Sequence, residues 1–578
     1  MAARTGTAHV VTTTRGYKDK VYRTHLLRRS YRENGKVKNE TLGNLSHLPD
    51  DLIDIVRRSL QGERFVPLAD AFEVIQSRPH GHVQAVSLAM QRLNIASLLG
   101  GTASRERDLV LAMIAARIVE PGTKLATTRQ WHATTLAEDF GVVDATEDDL
   151  YGAMDWLLAR QDGIQKRLAA RHLAEGSLVL YDLSSSYFEG STCPLAARGY
   201  SRDGKPGTLQ VNYGLLTDVR GCPVAVSVHE GNTADSLTFM PEVQRLREAF
   251  GIEQMVMVGD RGMISKKAIA QMRESDGIGW ITALKSASIR VLVEQRHLQL
   301  GLLDARNLVE IESPDYPGER LVACRNEALA KLRAHKRESL LAATEDQLRL
   351  VHERVQTGKL QGQDRIGVRV GKIVNRHKVA KHFVLTIEDH RFTFERNAQT
   401  IAAEAALDGL YIIRTSVPQD RMDADTCVRN YKALANVERA FRSIKTVDLK
   451  VRPIHHRLEN RVRAHIFLCM LAFYVEWHMK EAWRALTFAD TEQDRKATRD
   501  PVAPAKRSAS ANAKAAAKTL PDGSTVHSFP TLMTDLATIV RNTCRTPGVA
   551  PDAPTFDVLT TPTAAQARAL DLVRNIRL

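Results

Sequence analysis

The chain predicts a mixed α/β protein, and three observations carry that prediction. Short apolar runs such as "VLYD" (179–182) and "MVMVGD" (255–260) alternate with amphipathic stretches of helical periodicity. Both of those runs close on an acid, Asp182 and Asp260. A third acid, Glu438, lies far downstream in the helical stretch "YKALANVERAFRSIK" (431–445). A content of 43% hydrophobic and 26% charged residues over 578 positions belongs to a folded protein of several domains, not to a disordered one.

The first sixty residues read as a small β-rich unit. Two extended runs flank Asn34-Gly35, a dipeptide suited to the positive φ angles of a two-residue hairpin turn. Between Arg15 and Lys38 there are nine Lys or Arg, Arg28 and Arg29 among them, against the two acids Asp19 and Glu33. Such a hairpin can lie along a phosphate backbone, and a solvated strand face is the alternative. Helical periodicity follows over 65–175, as in "ERDLVLAMIAARIVE" before the stop signal Pro121-Gly122.

From 176 the period shortens. "GSLVLYDLSSSYFEG", "TLQVNYGLLTD" and "CPVAVSVHEGN" predict three strands, "DSLTFMPEVQRLREAFG" a helix, and "IEQMVMVGDRGMIS" and "GIGWITALK" two more strands. A long charged helix is predicted over 325–357. "RIGVRVGKIV", "KHFVLTIED" and "RFTFERN" then alternate as strands, and "GLYIIRTS" (409–416) gives one more before the Glu438 helix. After 490, "PVAPAKRSASANAKAAAKTLPDG" has few bulky apolar residues and reads as a flexible linker.

A net charge of +14 and a pI near 9.5 favour polyanionic partners, nucleic acid first among them. The six cysteines show no CxxC spacing, which argues against a zinc framework or disulfide staples and fits a reducing cytoplasm. The N-terminus lacks the apolar core of a signal peptide. The most apolar run, "AHIFLCMLAFYVEW" (464–477), falls short of the roughly 20 residues that span a bilayer and reads as a buried helix.

Carboxylates gathered at the ends of neighbouring buried strands are costly unless a cation neutralises them. Mg2+ meets that need, because it prefers oxygen ligands and keeps positions for a phosphate; two such ions can serve an in-line displacement. At 100° per residue, Tyr431, Glu438 and Lys445 fall within about 40° of one another on a helix. Leu434, Val437, Phe441 and Ile444 make the apolar stripe beside them. From Arg429 to Arg463 ten Lys or Arg, including Arg439 and Arg442, stand against three acids, a field suited to clamping phosphates. Arg261 and Arg414 are candidate DNA contacts by position. His455-His456 reads as phosphate-facing or structural rather than as a metal pair.

Taken together, these residues resemble the insertion-sequence transposases of the DDE class, in which a β-rich insertion splits a ribonuclease H-like core. The signature Tyr, two residues, Arg, three residues, Glu, six residues, Lys is matched by Tyr431, Glu438 and Lys445, while Leu434 replaces its Arg. "LLRRSYRENGKVKNETLGNLSHLP", "YDLSSSYFEG", "GYSRDGKPGTLQVNYGLLTD", "HEGNTADSLTF", "VGDRGMIS", "DGLYIIRTS" and "VRPIHHRLENRVRAHIFLCMLAFYVEWHMK" resemble the long-chain branch.

The resemblance implies a ribonuclease H-like mixed sheet flanked by helices, with β-hairpin and helical N-terminal regions. Its expected divisions are a basic DNA-binding region (1–64), a helical region (65–175), a catalytic core in two parts (176–290 and 406–490) around an α+β insertion (291–405), and a linker and tail (491–578). It implies Asp182, Asp260 and Glu438 as ligands of two Mg2+ ions, with Mn2+ a possible substitute, and Tyr431 and Lys445 as phosphate contacts. The implied partners are element-end and target DNA, with a homodimer at synapsis and no membrane. The implied reaction is hydrolysis at the element ends followed by attack of the freed 3′-hydroxyl on target DNA. A nuclease without strand transfer and a DNA-binding protein that has lost catalysis are the alternatives.

Overall fold

The computed structural model describes residues 6–18, 20–65, 67, 71–295, 297–298 and 307–578. Asp19, counted above in the basic hairpin, and 299–306 of the expected insertion lie outside them. In chain order the strands are β1 (Thr7–Tyr17), β2 (Lys20–Glu33), β3 (Lys36–Asn44), β4 (Glu73–Pro79), β5 (Ser177–Tyr187), β6 (Ala197–Arg198), β7 (Leu209–Thr217), β8 (Pro223–Glu230) and β9 (Met255–Val258). They continue as β10 (Ile278–Ala283), β11 (Leu308–Ile311), β12 (Arg320–Arg325), β13 (Phe383–Ile387), β14 (Phe392–Arg396), β15 (Leu410–Thr415), β16 (Val540–Arg545) and β17 (Phe556–Leu559).

The chain separates into two compact units, Met1–Ser77 with Arg541–Thr560, and Arg78–Val540 with Thr561–Leu578. In the first, β1, β2 and β3 form an antiparallel sheet. Asn34 and Gly35 both take positive φ (53° and 78°) and close β2 onto β3 with Glu33 opposite Lys36. Asparagine and glycine tolerate that region where most side chains do not. Arg28 and Arg29 sit half-buried on β2, opposite Thr41 and Glu40.

The second unit is mixed α/β and is built on one large sheet of order β11-β12-β15-β10-β9-β5-β7-β6, with β8 paired to β7. Three antiparallel strands, β8, β7 and β5, are followed by β9 and β10 parallel to β5, and β15 returns antiparallel to β10. β7 is buried at all but its first residue, as an interior strand covered on both faces must be. Helix Glu459–Ala482 is buried continuously from Ala464 to Met479 and packs on β8 and on helices Arg105–Val119 and Glu147–Leu158. It is apolar all round because protein surrounds it on every side. None of the described helices is long and apolar enough to cross a membrane.

Four expectations change. "RIGVRVGKIV" is not a strand but lies within helix Gln363–Arg376, where Ile366, Val370 and Val374 are buried at a spacing of four while Val368 is exposed. Those same residues satisfy a period of two, which is why the run reads as a strand. The expected insertion is not wholly separate, since β11 and β12 extend the central sheet beside β15. A core of its own lies further on, between helices Glu327–Gln356 and Gln363–Arg376 and the β13–β14 hairpin.

The stretch 491–578 is not an unstructured linker and tail. It contains helices Ala509–Ala517, Phe529–Leu536 and Ala564–Arg574, and Leu532, Leu536, Leu570 and Val573 are buried. Finally, 431–445 is not one straight helix. Helix Ala424–Lys432 ends at Ala433, helix Leu434–Arg442 follows, and Ser443–Val447 is π-helical.

Candidate active site

β5 and β9 run parallel in register, with Leu178, Val179 and Leu180 opposite Val256, Met257 and Val258. Asp182 lies two residues beyond Leu180, and Asp260 two beyond Val258. Each acid thus follows the last paired step of β5 and β9, Leu180 opposite Val258, by two residues of chain. They differ in setting. Asp182 stands in the middle of β5, opposite Leu215 of β7, and not at a strand end. Asp260 is beyond β9 in the turn that leads to helix Lys266–Arg273.

Each aspartate has one oxygen fixed by backbone. Asp182 Oδ1 accepts the Leu183 N–H at 2.9 Å, and Asp260 Oδ1 accepts those of Gly262 and Met263 at 2.8 and 2.7 Å. Among the described residues no protein donor reaches the second oxygen of either. Helix Leu434–Arg442 packs on β5 through its buried Val437, Ala440 and Phe441, and leaves Glu438 exposed and without a hydrogen-bond or ion-pair partner among the described residues. Burial, reinforced by the charges of Asp260 and Glu438, pushes the Asp182 carboxyl up to about 7, against opposing pulls from the Leu183 N–H and Arg202. Asp260 and Glu438, 78 and 256 positions further along the chain, thus both act on Asp182.

The Tyr431 phenol borders the same place. Burial and then Asp260 push it up to about 12, and Arg261, Glu438 and Asp182 also act on it. Lys445 is buried, and its ammonium reaches Asp203 at 2.5 Å and Ser184 Oγ at 3.2 Å. Ser184 follows Asp182 by two on β5 and so shares its face of the sheet. The break from a regular helix aims this side chain. Ser443 Oγ donates to Glu476 at 2.8 Å and bonds Asp448, while Lys480 joins both carboxylates, so the turn widens over a buried polar cluster.

The other candidate contacts divide. Arg261, Arg439 and Arg442 are exposed; Arg439 bonds Asn436 and the Ala435 carbonyl. Arg414 is buried in β15 and committed to Glu319 through two 2.5 Å contacts. Arg28 and Arg29 lie in the other compact unit. Beside the Glu438 helix, a cavity of about 870 Å3 is lined by Arg429, Lys432, Arg439, Arg484 and Arg499.

Sequence reasoning passed over Arg202 and Asp203. Arg202 acts on Asp182 and pairs with Asp235, and Asp203 accepts Lys445, Arg452 and the Tyr187 N–H. Adjacent opposite charges in the Gly- and Pro-containing "GYSRDGKPG" carry no periodic signal and read as a turn.

A separate buried cluster, His172, Cys222 and His478, has its donor atoms within 4.8 Å of one another. His172 Nε2 is already 2.9 Å from the Tyr474 hydroxyl. Among the described residues it is the one group of three such side chains that close together, and the three acids stand further apart than that.

The family described as "Transposase DDE domain" matches residues 173–475, and that described as "IS1634 family transposase, N-terminal domain" matches 10–67. No curated protein matches the chain. Among solved structures, the cryo-EM structure of a piggyBac transposase synaptic complex with hairpin DNA is similar over 78% of this chain and 77% of that one, at 9% identity and a TM-score of 0.35.

Proposed function

Since the chain belongs to the insertion-sequence transposases of the DDE class, we propose that it binds the ends of its element, cleaves the DNA there in a metal-dependent reaction, and joins the 3′-hydroxyl to target DNA. The observation that carries this is that Asp260 and Glu438, from separate elements, both act on the Asp182 carboxyl, with Asp182 on β5 and Asp260 just past the parallel strand β9. The strand order β8-β7-β5-β9-β10, three antiparallel strands and then two parallel ones, supports a ribonuclease H-like core. The second part of that core would be 406–490.

The donor set fits hard divalent cations. It is all oxygen, one oxygen on each aspartate meets no protein donor among the described residues, and Asp182 resists ionisation without a cation beside it. Asp182, Asp260 and Glu438 would hold Mg2+, two ions in this reading, with Mn2+ a possible substitute. Bound there, the metal would make an attacking oxygen more acidic and stabilise the leaving 3′-oxygen.

The chain's own side chains do the positioning. The backbone N–H groups of Leu183, Gly262 and Met263 hold each aspartate with its second oxygen turned away from the backbone donors. Tyr431 keeps its proton, so its hydroxyl can donate to a phosphate oxygen near the acids. The Leu434 side chain cannot replace the guanidinium of the signature. Arg439 and Arg442 on the same helix, with Arg261 beyond β9, supply exposed cations for the strand backbone. Two ends must be brought together, which calls for a homodimer at synapsis. Residues 1–64, with Arg28 and Arg29, are assigned to end recognition on the basic character of their hairpin.

The deciding experiment is an Mg2+-dependent cleavage and joining assay, using a duplex that carries the element's terminal sequence and a supercoiled target. Wild-type protein nicks and joins. Asp182→Asn, Asp260→Asn and Glu438→Gln bind the end and do neither. Cleavage without joining would leave a nuclease, and full activity in any of the three variants would remove that acid from the site.

A further inference from the structure

A second cavity, of about 530 Å3, lies among Arg117, Lys124, Lys450, Arg452, Arg457 and Arg461, with no Asp or Glu in its lining among the described residues. Two of its cations are deeply buried, Lys124 at 3% exposure and Arg117 at 6%. Arg117 donates to the Gly122 and Leu449 carbonyls. Lys124 has neither a hydrogen bond nor an ion pair among the described residues.

Arg461 Nε is buried without a partner as well. Arg452 is the exception, since Asp203 takes its charge. Burial, with the Arg117 charge added, lowers Lys124 to about 7, and an anion placed beside it would favour the ammonium again. The surrounding groups record the field. Burial, with the charges of Arg117 and Lys124 added, lowers His456 to about 3 and holds His465 well below its usual range. One wall is aromatic, where the Arg461 guanidinium lies 4.3 Å from the centre of the Tyr151 ring and His456 meets that ring edge-on at 6.0 Å.

We infer that this cavity is a phosphate-binding pocket, closed at its base by Lys124 and Arg117, and that it receives a phosphate of a DNA strand with the adjoining nucleotide against Tyr151. A phosphate dianion or diester would supply the missing countercharge and accept from Lys124 and Arg461. The volume exceeds what a bare anion needs and accommodates a nucleotide. Only the source of the phosphate rests on the proposed DNA chemistry. The binding itself needs neither divalent metal nor catalysis, so its failure and the failure of the three-acid site are separately visible.

The test uses the full chain, as wild type and Lys124→Met, in buffers of equal ionic strength. Inorganic phosphate is expected to raise the wild-type Tm by several degrees where chloride does not. Lys124→Met is expected to lose that shift and to be at least as stable as wild type without phosphate, because a buried amine without a partner has gone. A 5′-phosphorylated oligonucleotide that displaces phosphate more strongly than its 5′-hydroxyl counterpart assigns the pocket to a strand end. Equal displacement by the two assigns it to an internal phosphodiester, and no displacement to free phosphate. No phosphate shift in wild type, or an undiminished one in Lys124→Met, overturns the inference. Should Lys124→Met fail to fold, Arg461→Gln serves in its place and must weaken the shift.

Discussion

Lys445 turns away from the line of Tyr431 and Glu438 and closes on Asp203, Nζ to Oδ1 at 2.5 Å, with Arg452 on the same oxygen. Asp203 is almost fully buried, so the pair holds a loop against the face of β5 that carries Asp182. Removing one member of a buried pair strands the other, at a cost of about 3–5 kcal/mol. Asp203→Asn is therefore expected to lower the unfolding midpoint in denaturant. The double variant Asp203→Asn, Lys445→Met should recover part of that loss, and a double variant as unstable as the sum of its singles would mean the contact contributes nothing.

Asp182 makes the metal-free protein sensitive to pH. Its folded pKa of about 7 lies above the value near 3.9 of an unfolded aspartate, so the folded state holds the proton longer. Stability is then greatest at low pH and falls as pH rises from about 4 to 7. The full effect for three units is about 4 kcal/mol. Glu242 and Glu476 are raised for the same reason of burial and several buried histidines are lowered by it, so the wild-type slope has several sources. The difference between wild type and Asp182→Asn isolates one of them. In chelator, that difference is expected to shift by a few kcal/mol between pH 5 and 8, and added Mg2+ should abolish it. Parallel stability curves for the two proteins would disprove the raised pKa.

How far the fold could be read follows from which signals are local. β5 and β9 were legible because each contains a short apolar run, Leu178–Tyr181 and Met255–Val258, and the Asn34-Gly35 turn because few dipeptides take two positive φ angles. The register of β5 beside β9 is a pairing of chains far apart in sequence, and no local pattern encodes it. The 431–445 stretch misled for the opposite reason. Its periodicity is that of an ideal helix, while Glu476 and Lys480, from another helix, widen the turn at Ser443. The stretch 501–523 read as linker because its helix, Ala509–Ala517, is rich in Ala and buries no large apolar side chain.

Arg414 is expected to matter for folding and not for DNA. Glu319 is 1% exposed at its side chain and takes both Arg414 and Arg273. Arg414→Gln leaves that carboxylate with one cation at the sheet's middle, a loss of about 3 kcal/mol. The fraction that remains folded should bind end DNA as wild type does, measured by band shift after correction for active protein. A selective loss of DNA affinity at unchanged stability would return Arg414 to the list of DNA contacts.

Deleting 561–578 tests whether the C-terminal segment is part of the second unit's core. Helix Ala564–Arg574 buries Ala569, Leu570 and Val573, and the Trp483 indole N–H donates to the Ala569 carbonyl at 2.9 Å. Gln566 adds donations to the Asp535 carbonyl at 2.9 Å and the Thr538 hydroxyl at 2.8 Å. At about 1.5–3 kcal/mol for each large apolar side chain, losing the burial of Leu570 and Val573 and exposing the otherwise fully buried Trp483 costs about 5 kcal/mol or more. Against the 5–15 kcal/mol of a typical domain, that deletion should leave the protein largely unfolded or aggregated at 37 °C. Leu570→Ala is the milder probe, with an expected loss of about 2–4 kcal/mol, and a truncated chain with an unchanged melting curve would restore the reading of this segment as a tail.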